Sequence, residues 1–456
     1  MFSWESYHAV KVGGVAPHVT ELSEALVRRG HDVHVFTRAG GWMRNYDNYE
    51  GVHYQRCHHD ESGGVVHQMD RMCDAMYERF LSVSKDAGKF DILHCHDWHA
   101  VNVLNRIKHD FGIPYLITYH STEWGRNGNQ NGDWWEFGEI SHREWNGGYE
   151  SAKVISTSVI LKNEICSLYQ IPHYKISIIP NGIVPGKYRL DVNAGHVKEK
   201  YGIHPLAPVV LFVGRMAQQK GPDMLVGAIP HVLNKRWDVQ FIFAGEGEMR
   251  PHCEYLSDMF NVRNNCHFLG YVLDDDLREL VNAADIICMP SRNEPFGIVA
   301  LEAWDAGKPV IGTDAVDLID NFRTGIKASK SSESLAWCIN NVIDKPDALK
   351  WMGEQGREDI ANVYNWDIVS EETERVYLEV TGNSVPEGDL PVIDLISIKG
   401  IGSKIAAKLE GAGISTIHDL ILADTDELIM KLNNTIPVAS IKRFKAIAEK
   451  IEAATC

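Results

Sequence analysis

No stretch of the 456-residue chain approaches the roughly 20 consecutive apolar residues that a bilayer-spanning helix needs. Its start shows no basic segment leading into an apolar core and cleavage site, so neither a membrane span nor a secretory leader is expected. Cysteine is present but never paired in sequence. The nine residues Cys57, Cys73, Cys95, Cys166, Cys253, Cys266, Cys288, Cys338 and Cys456 show no C-x-x-C spacing, which argues against a zinc ribbon or a dithiol redox motif. They read as reduced, mostly buried thiols of a cytoplasmic protein. Positive charge is scarce: 45 Lys and Arg face 62 Asp and Glu, a net charge of -17 that repels nucleic acid and anionic membrane. An anionic ligand therefore needs a local cationic site. Low-complexity tracts and charge blocks are missing too, and 44% hydrophobic with 23% charged residues describes an ordinary globular chain.

What is present is an alternation. The length exceeds what one core supports, so two or three domains are expected. In the first part, a helical pattern near residues 19–29 and short apolar runs at 34–37, 92–94, 115–119 and 154–156 predict a parallel sheet wound with helices. The first strand starts at Met1 with fewer residues before the Gly13-Gly14 turn than such a strand normally has, which reads as a trimmed or misassigned start. A second set of runs, at 209–213, 239–244, 267–269, 286–289 and 310–312, predicts a second doubly wound domain. Residues 178–188 (IIPNGIVPGKY) between the sets read as a crossing linker and hinge, and 382–389 (GNSVPEGD) as a second linker. The resulting boundaries are 1–185, 186–365 and a helical unit at 390–456.

Several residues have side chains of the types that hold phosphates and hydroxyls. Arg215 and Lys220, in FVGRMAQQKG, follow a strand end, where α/β sheets place ligand groups; two cations five residues apart can hold a diphosphate without metal. Alone the pair is weak, since any surface loop carries Arg and Lys. Glu294 and Glu302, in EPFGIVALEAW, are spaced E-x7-E across a turn and a helix start. Glu302 sits among apolar neighbours and needs donors, which a ribose diol offers, although paired carboxylates also mark solvated helix faces. Gly13 and Gly14 precede a helix whose N-terminus suits a phosphate, with Lys11 beside them, but a glycine pair is more often only a tight turn. His120 ends a strand and can donate to a sugar hydroxyl. In the run His94-Cys95-His96-Asp97-Trp98-His99, alternate strand residues point to opposite faces, so the run cannot converge on one ion and no metal is expected. Asp97 and Trp98 read better as acceptor surface, with core packing as the commoner fate of a tryptophan.

Taken together and in order, KVGG at 11–14, GR-x4-K at 214–220 and E-x7-E at 294–302 resemble the retaining family-4 glycosyltransferases and the related glycogen synthases, over residues 1–382. The resemblance implies a GT-B fold: two Rossmann-like domains facing a cleft, donor mainly on the second, acceptor on the first, and a last helix near 366–382 returning to the first domain. It implies that Glu302 holds the ribose, Glu294 the donor sugar, Arg215 and Lys220 the diphosphate, and that Phe296, Gly297 and Ile298 lend backbone amides. It further implies front-face transfer without a protein nucleophile, cofactor or metal; the run Asp274-Asp275-Asp276 reads as a helix start. The stretch 120–145, with STEWGRNGN and REWNGG, and the HDW at 96–98 are similar to glycogen and starch synthases, which implies ADP- or UDP-glucose as donor and an α-glucan acceptor. One departure is Ala315-Val316-Asp317, where many members carry paired glycines.

The tail, 395–413 (LISIKGIGSKIAAKLEGAG), resembles a helix-hairpin-helix motif, with Lys399, Lys404 and Lys408 near the turn Gly400-Ile401-Gly402. Residues 389–456 carry eight Lys and Arg against nine Asp and Glu, which favours protein contact or self-association over nucleic acid. Three functions stay open: an α-glucan synthase, a family-4 transferase with a small-molecule or lipid-linked acceptor, and a DNA-associated scaffold with a vestigial transferase.

Overall fold

Runs such as VVLFV at 209–213 are apolar at every position rather than at alternate ones, the pattern of strands covered on both faces. The computed structural model, which describes residues 1–382, 395, 398, 401–423, 425–432 and 435–455, places them so. Residues 1–382 form one compact unit and residues 383–456 a second.

The first unit holds two sheets. Sheet one comprises β1 (Phe2–Ser3), β2 (His34–Arg38), β3 (Tyr46–Tyr49), β4 (Val52–Cys57), β5 (Leu93–His96), β6 (Tyr115–Tyr119), β7 (Lys153–Ser156) and β8 (Ile176–Ile178), in the order β3-β4-β2-β1-β5-β6-β7-β8. All pairs are parallel except β3 with β4. Sheet two comprises β9 (Val209–Val213), β10 (Gln240–Ala244), β11 (Cys266–Gly270), β12 (Ile286–Met289), β13 (Val310–Thr313) and β14 (Gly325–Ala328), in the order β11-β10-β9-β12-β13-β14. That is the dinucleotide-fold order, with its reversal between β9 and β12. Sheet one reverses between β1 and β5.

The β3–β4 hairpin was not visible as a periodic run. Its two-residue turn, Glu50-Gly51, has φ of 49° and 82°, the geometry of a tight hairpin built without the usual asparagine. Polar Gln55 and Arg56 are nonetheless buried in β4; Arg56 Nε donates to the His8 carbonyl at 2.6 Å and its Nη1 to the Arg44 carbonyl at 3.0 Å.

Four helices position the site: α1 (Val15–Arg28), α2 (Pro222–Leu233), α3 (Ile298–Asp305) and α4 (Trp366–Thr381). Asn365 caps α4 by accepting from the Asp367 and Ile368 amides. This helix packs on sheet one: Trp366 is buried, its indole N–H donates to Glu21 of α1 at 2.6 Å, and the Tyr377 hydroxyl meets His94 Nδ1 at 2.7 Å. The crossing segment between the sheets is pinned rather than loose, because the Asp305 carboxylate accepts from the Gly186 and Tyr188 amides at 2.8 and 2.6 Å.

In the second unit, helices Ser403–Gly411, Ile417–Leu422, Thr425–Lys431 and Val438–Thr455 enclose a small core including Leu409, Leu420 and Phe444. Lys404 and Lys408 are exposed, whereas Lys399, Gly400 and most of the expected linker lie outside the described residues. Among the described residues no helix is long and apolar enough to cross a membrane.

The Trp366→Ala substitution removes a buried indole and one of Glu21's donors, so it should lower unfolding free energy by about 3–5 kcal/mol, read as an earlier urea midpoint at unchanged slope.

Candidate active site

Parallel sheets expose their strand C-termini and the following loops at one edge, and where strand order reverses, adjacent loops part to leave a crevice. Both reversals here open on the same cleft, of about 540 Å³. Sheet one contributes Trp4 and Glu5 after β1, Asp97 and His99 after β5, and His120 and Ser121 after β6; sheet two contributes Gly214 and Arg215 after β9 and Ser291 and Glu294 after β12.

On the second-sheet side the cleft gathers positive potential. Arg215 is exposed and makes no ion pair among the described residues. Lys220 stands just before α2 and places Nζ 2.8 Å from both oxygens of Glu294. Glu294 is buried, and its second oxygen accepts from the Ser291 hydroxyl at 2.8 Å. Gly297 enters α3 with φ of 103°, a conformation that glycine adopts freely, and Phe296, Gly297 and Ile298 line the cleft. Opposite, Gly14 precedes α1 and lies so near the start of α3 that a Cβ there would stand 3.0 Å from Ile298 Cδ1. Neither helix start has a side-chain cap or an acidic residue in its first turn, so two uncapped N-termini meet beside two cations. The arrangement suits an anion with two phosphates.

Four expected residues are placed otherwise. Lys11 is spent in an ion pair with Asp274, 2.7 Å away at the start of the helix Asp274–Ala283, and does not line the cleft. The neighbouring Val12 and Gly13 amides donate to Glu5 Oε2 at 2.6 and 2.7 Å, so that part of the glycine turn is closed to phosphate. Glu302 stands outside the lining, taking a 2.8 Å hydrogen bond from Tyr188, and burial raises its pKa. Trp98 is core, with its ring stacked on His99 at 4.4 Å; the aromatic wall is made by Trp4 and His99, stacked at 4.8 Å. Ala315, Val316 and Asp317 do not line the cleft either.

The first-sheet side rests on a buried charge network. Asp97, at φ 55°, accepts from the His120 amide at 2.7 Å, and burial pushes its pKa up to about 6. Arg126 donates to Glu123 at 3.0 Å, to Ser121 at 2.6 Å and to Glu144 at 2.7 Å. Glu144, fully buried, also accepts from the Glu123 amide and the Tyr169 hydroxyl, and burial raises it to about 7. His120 lines the cleft, and burial lowers it to about 3, so its ring is neutral. Glu5, Arg126 and Glu144 escaped the sequence reading. Arg126 lies in the polar stretch STEWGRNGN, where a charge raises no local signal, and its bond to buried Glu144 spans 18 residues.

Hydrogen bonds cross the cleft and hold its walls together: Ser158 Oγ donates to the Pro295 carbonyl, and Asn293 Nδ2 donates to Glu164 at 3.0 Å and Asn129 at 2.8 Å.

Arg126→Met would strand Glu144 and Asp97 in the interior, a loss of about 3–5 kcal/mol at neutral pH. Burial raises both carboxyls, and the Arg126 charge holds them back to about 7 for Glu144 and about 6 for Asp97. Without it each takes up its proton at a higher pH than in the parent, so the deficit is full at alkaline pH and should shrink in urea melts as pH falls through the parent's values toward pH 5.

The sequence matches two family models over this unit, glycosyltransferase family 4 at residues 12–187 and glycosyl transferases group 1 at residues 196–359, and the SAM-like helix-hairpin-helix tandem at 392–432. An uncharacterized glycosyltransferase of Methanocaldococcus jannaschii is 34% identical over 386 residues, covering 83% of this chain and 97% of that one. Glycogen synthase of Mycobacterium tuberculosis is 27% identical over 419 residues, 86% of this chain and 98% of that one. In structure, sucrose-phosphate synthase of Thermosynechococcus elongatus matches with a TM-score of 0.70 at 22% identity, over 84% of this chain and 99% of that one. Two doubly wound sheets closing on one cleft, and relatives matched over nearly their whole length, identify the chain as a member of the family-4 and group-1 glycosyltransferases of GT-B fold, carrying a helix-hairpin-helix unit at its C-terminal end.

Proposed function

We propose that this glycosyltransferase moves a glucosyl group, with retention of configuration, from ADP- or UDP-glucose to the end of an α-glucan. The observation that carries the reading is the meeting of Arg215, Lys220 and the uncapped starts of α1 and α3 at one end of a cleft whose other end is walled by Trp4, His99 and Asp97. In the ligand-free chain Glu294 neutralises Lys220. An arriving diphosphate takes over Lys220, together with Arg215 and the helix-start amides, and frees Glu294 to accept hydroxyls of the donor sugar. Glu302, outside the lining in the ligand-free chain, is assigned to the ribose diol, whose hydroxyls would replace Tyr188 as its donor, and His120 to a hydroxyl of the transferred sugar.

The bond from the anomeric carbon to the β-phosphate oxygen breaks, and the acceptor oxygen forms its bond on the same face. Its proton passes to the departing phosphate, so no protein nucleophile or metal is required. Arg215 and Lys220 stabilise the charge that grows on the leaving group, where preorganised cations lower the barrier most. Trp4 and His99 offer aromatic faces to acceptor rings, and Asp97 takes their hydroxyls. The relation to a glycogen synthase supports the glucan acceptor. The terminal helical unit is assigned to protein contact or self-association, since its charges nearly balance.

The testing experiment incubates purified protein with ADP-glucose or UDP-glucose, with and without a maltooligosaccharide primer, and follows nucleotide release and chain length. Primer-dependent lengthening is expected; release that ignores primer with both donors rejects the glucan acceptor in favour of a small-molecule or lipid-linked one. Glu294→Ala should lower kcat by about 10²–10³-fold. Its fold should persist, because the Lys220 side chain is 27% exposed and can turn to water; unchanged turnover would reject the assignment. Transfer should also survive EDTA, and loss restored by added Mg²⁺ would reject the metal-free step.

A further inference from the structure

Behind the acceptor side of the cleft four imidazoles crowd together: His18 from α1, His94 and His96 from β5, and His120 from the end of β6. Their hydrogen bonds differ. His94 is satisfied on both nitrogens, by the Tyr377 hydroxyl and by Thr118 Oγ1, each at 2.7 Å. His18 and His96 are not. The Asn181 carbonyl oxygen, 2.8 Å from His18 Nδ1, fixes the proton there and leaves a lone pair on Nε2, which is buried and has no partner. His96 Nε2 is likewise buried and unpartnered. His96 Nδ1 lies 3.3 Å from His120 Nε2.

One nitrogen from each of His18, His96 and His120 falls within 4.8 Å of the others. Zn–N bonds of about 2.0–2.1 Å set neighbouring ligands on a tetrahedral ion about 3.3–3.4 Å apart. The pair His96 Nδ1 and His120 Nε2 already has that spacing, so His96 would ligate through Nδ1 with its proton on Nε2, and ring rotation brings in His18 Nε2. The rings are packed edge to face and stacked, with centroids 4.5 Å apart for His18–His120, 5.2 Å for His18–His96 and 5.6 Å for His96–His120. Asn181 plays the part of the outer partner that orients a ligating histidine. His120 lines the cleft and supplies the entry path, while no carboxylate joins the set, since Asp97 is turned to the His120 amide. Three neutral imidazoles with one open position are a donor set for Zn²⁺ and similar borderline ions, not for Mg²⁺.

We propose that His18, His96 and His120 form a site for a Zn²⁺-class ion, opening on the transfer cleft, and that an ion seated there inhibits transfer by fixing the His120 ring away from the sugar. The inhibitory half rests on the transfer reading above; the binding half rests on the histidines alone. A second cluster, Asp32 with His34 and His53, serves as its control. There each ring's Nδ1 is hydrogen-bonded, to Gln55 and Tyr46, and each Nε2 faces Asp32 at 3.5 Å, leaving no orphaned nitrogen.

The full chain, stripped with EDTA and dialysed, is titrated with Co²⁺ while the visible absorption of tetrahedral cobalt is followed, and the ion is then displaced by Zn²⁺. One equivalent per chain is expected. The intense band should vanish in His96→Gln and in His120→Ala and persist in His53→Gln, with thermal unfolding as the fold check. No tetrahedral band, or a band lost in His53→Gln and kept in His120→Ala, overturns the site. Stoichiometric Zn²⁺ should lower transfer at least tenfold, reversibly with EDTA, and whatever turnover His96→Gln retains should be insensitive to Zn²⁺. Full turnover with Zn²⁺ bound overturns the inhibition. The cobalt spectrum reads the site without any transfer, so a failure of the site and a failure of the transferase reading show separately.

Discussion

Everything at the cleft depends on the reversal of strand order in each sheet. A parallel strand can be followed by a helix on one face or the other, and where the winding changes direction two neighbouring strands send their loops apart. In sheet two this happens between β9 and β12, so Arg215 and Glu294, 79 positions apart in sequence, leave adjacent strands at the same edge. In sheet one it happens between β1 and β5, which brings Trp4 and Glu5 beside Asp97 and His99. Helix α4 closes the arrangement by returning to sheet one, so the two reversals face each other without a long free hinge.

A cleft built to receive a diphosphate must survive without one. Arg215 points into solvent, where its charge is screened, and Lys220 keeps access to water, but the Glu294 carboxylate is buried and needs partners. Lys220 and the Ser291 hydroxyl supply them until a diphosphate arrives. The same logic explains Glu5, which holds the Val12 and Gly13 amides of the glycine turn and leaves only the start of α1 uncovered. The protein's strongly acidic surface then leaves the cationic end of the cleft as a local exception, which concentrates an anionic donor there rather than along the surface.

Sheet strands were legible because buried parallel strands are apolar at successive positions: the runs at 115–119, 209–213 and 286–289 coincide with β6, β9 and β12. Arg215, Lys220 and Glu294 line the cleft because they follow the ends of β9 and β12, where GR-x4-K and E-x7-E put them. Lys11 does not line it, for a reason that lies outside its own segment. Its partner Asp274 lies 263 residues away, and no local pattern announces such a pair. Trp98 and Trp4 illustrate a one-residue difference of direction: Trp98 begins a short helical turn after Asp97 and faces inward, while Trp4 follows β1 and faces the cleft. The hairpin of β3 and β4 was hidden by its polar residues: those of β3 are mostly exposed, while in β4 buried Arg56 donates to two carbonyls and Asp47 and buried Gln55 accepts from Arg79.

The histidines show where reasoning along one strand stops being sufficient. Alternation does separate Cys95 from His94 and His96, and the run from 94 to 99 does not converge. Convergence comes instead from three elements: β5 supplies His96, the end of β6 supplies His120 on the neighbouring strand, and α1 lays His18 across both. Parallel pairing of β5 with β6 fixes the first two at a spacing that a single strand cannot produce. The cost of keeping such polar rings in the interior is lowered by Asn181, Thr118 and Tyr377, each of which satisfies one nitrogen. His18 Nε2 and His96 Nε2 are left buried without a partner, and the cluster they belong to reaches the cleft through His120 alone, so the polar cost of the group is not offset by packing.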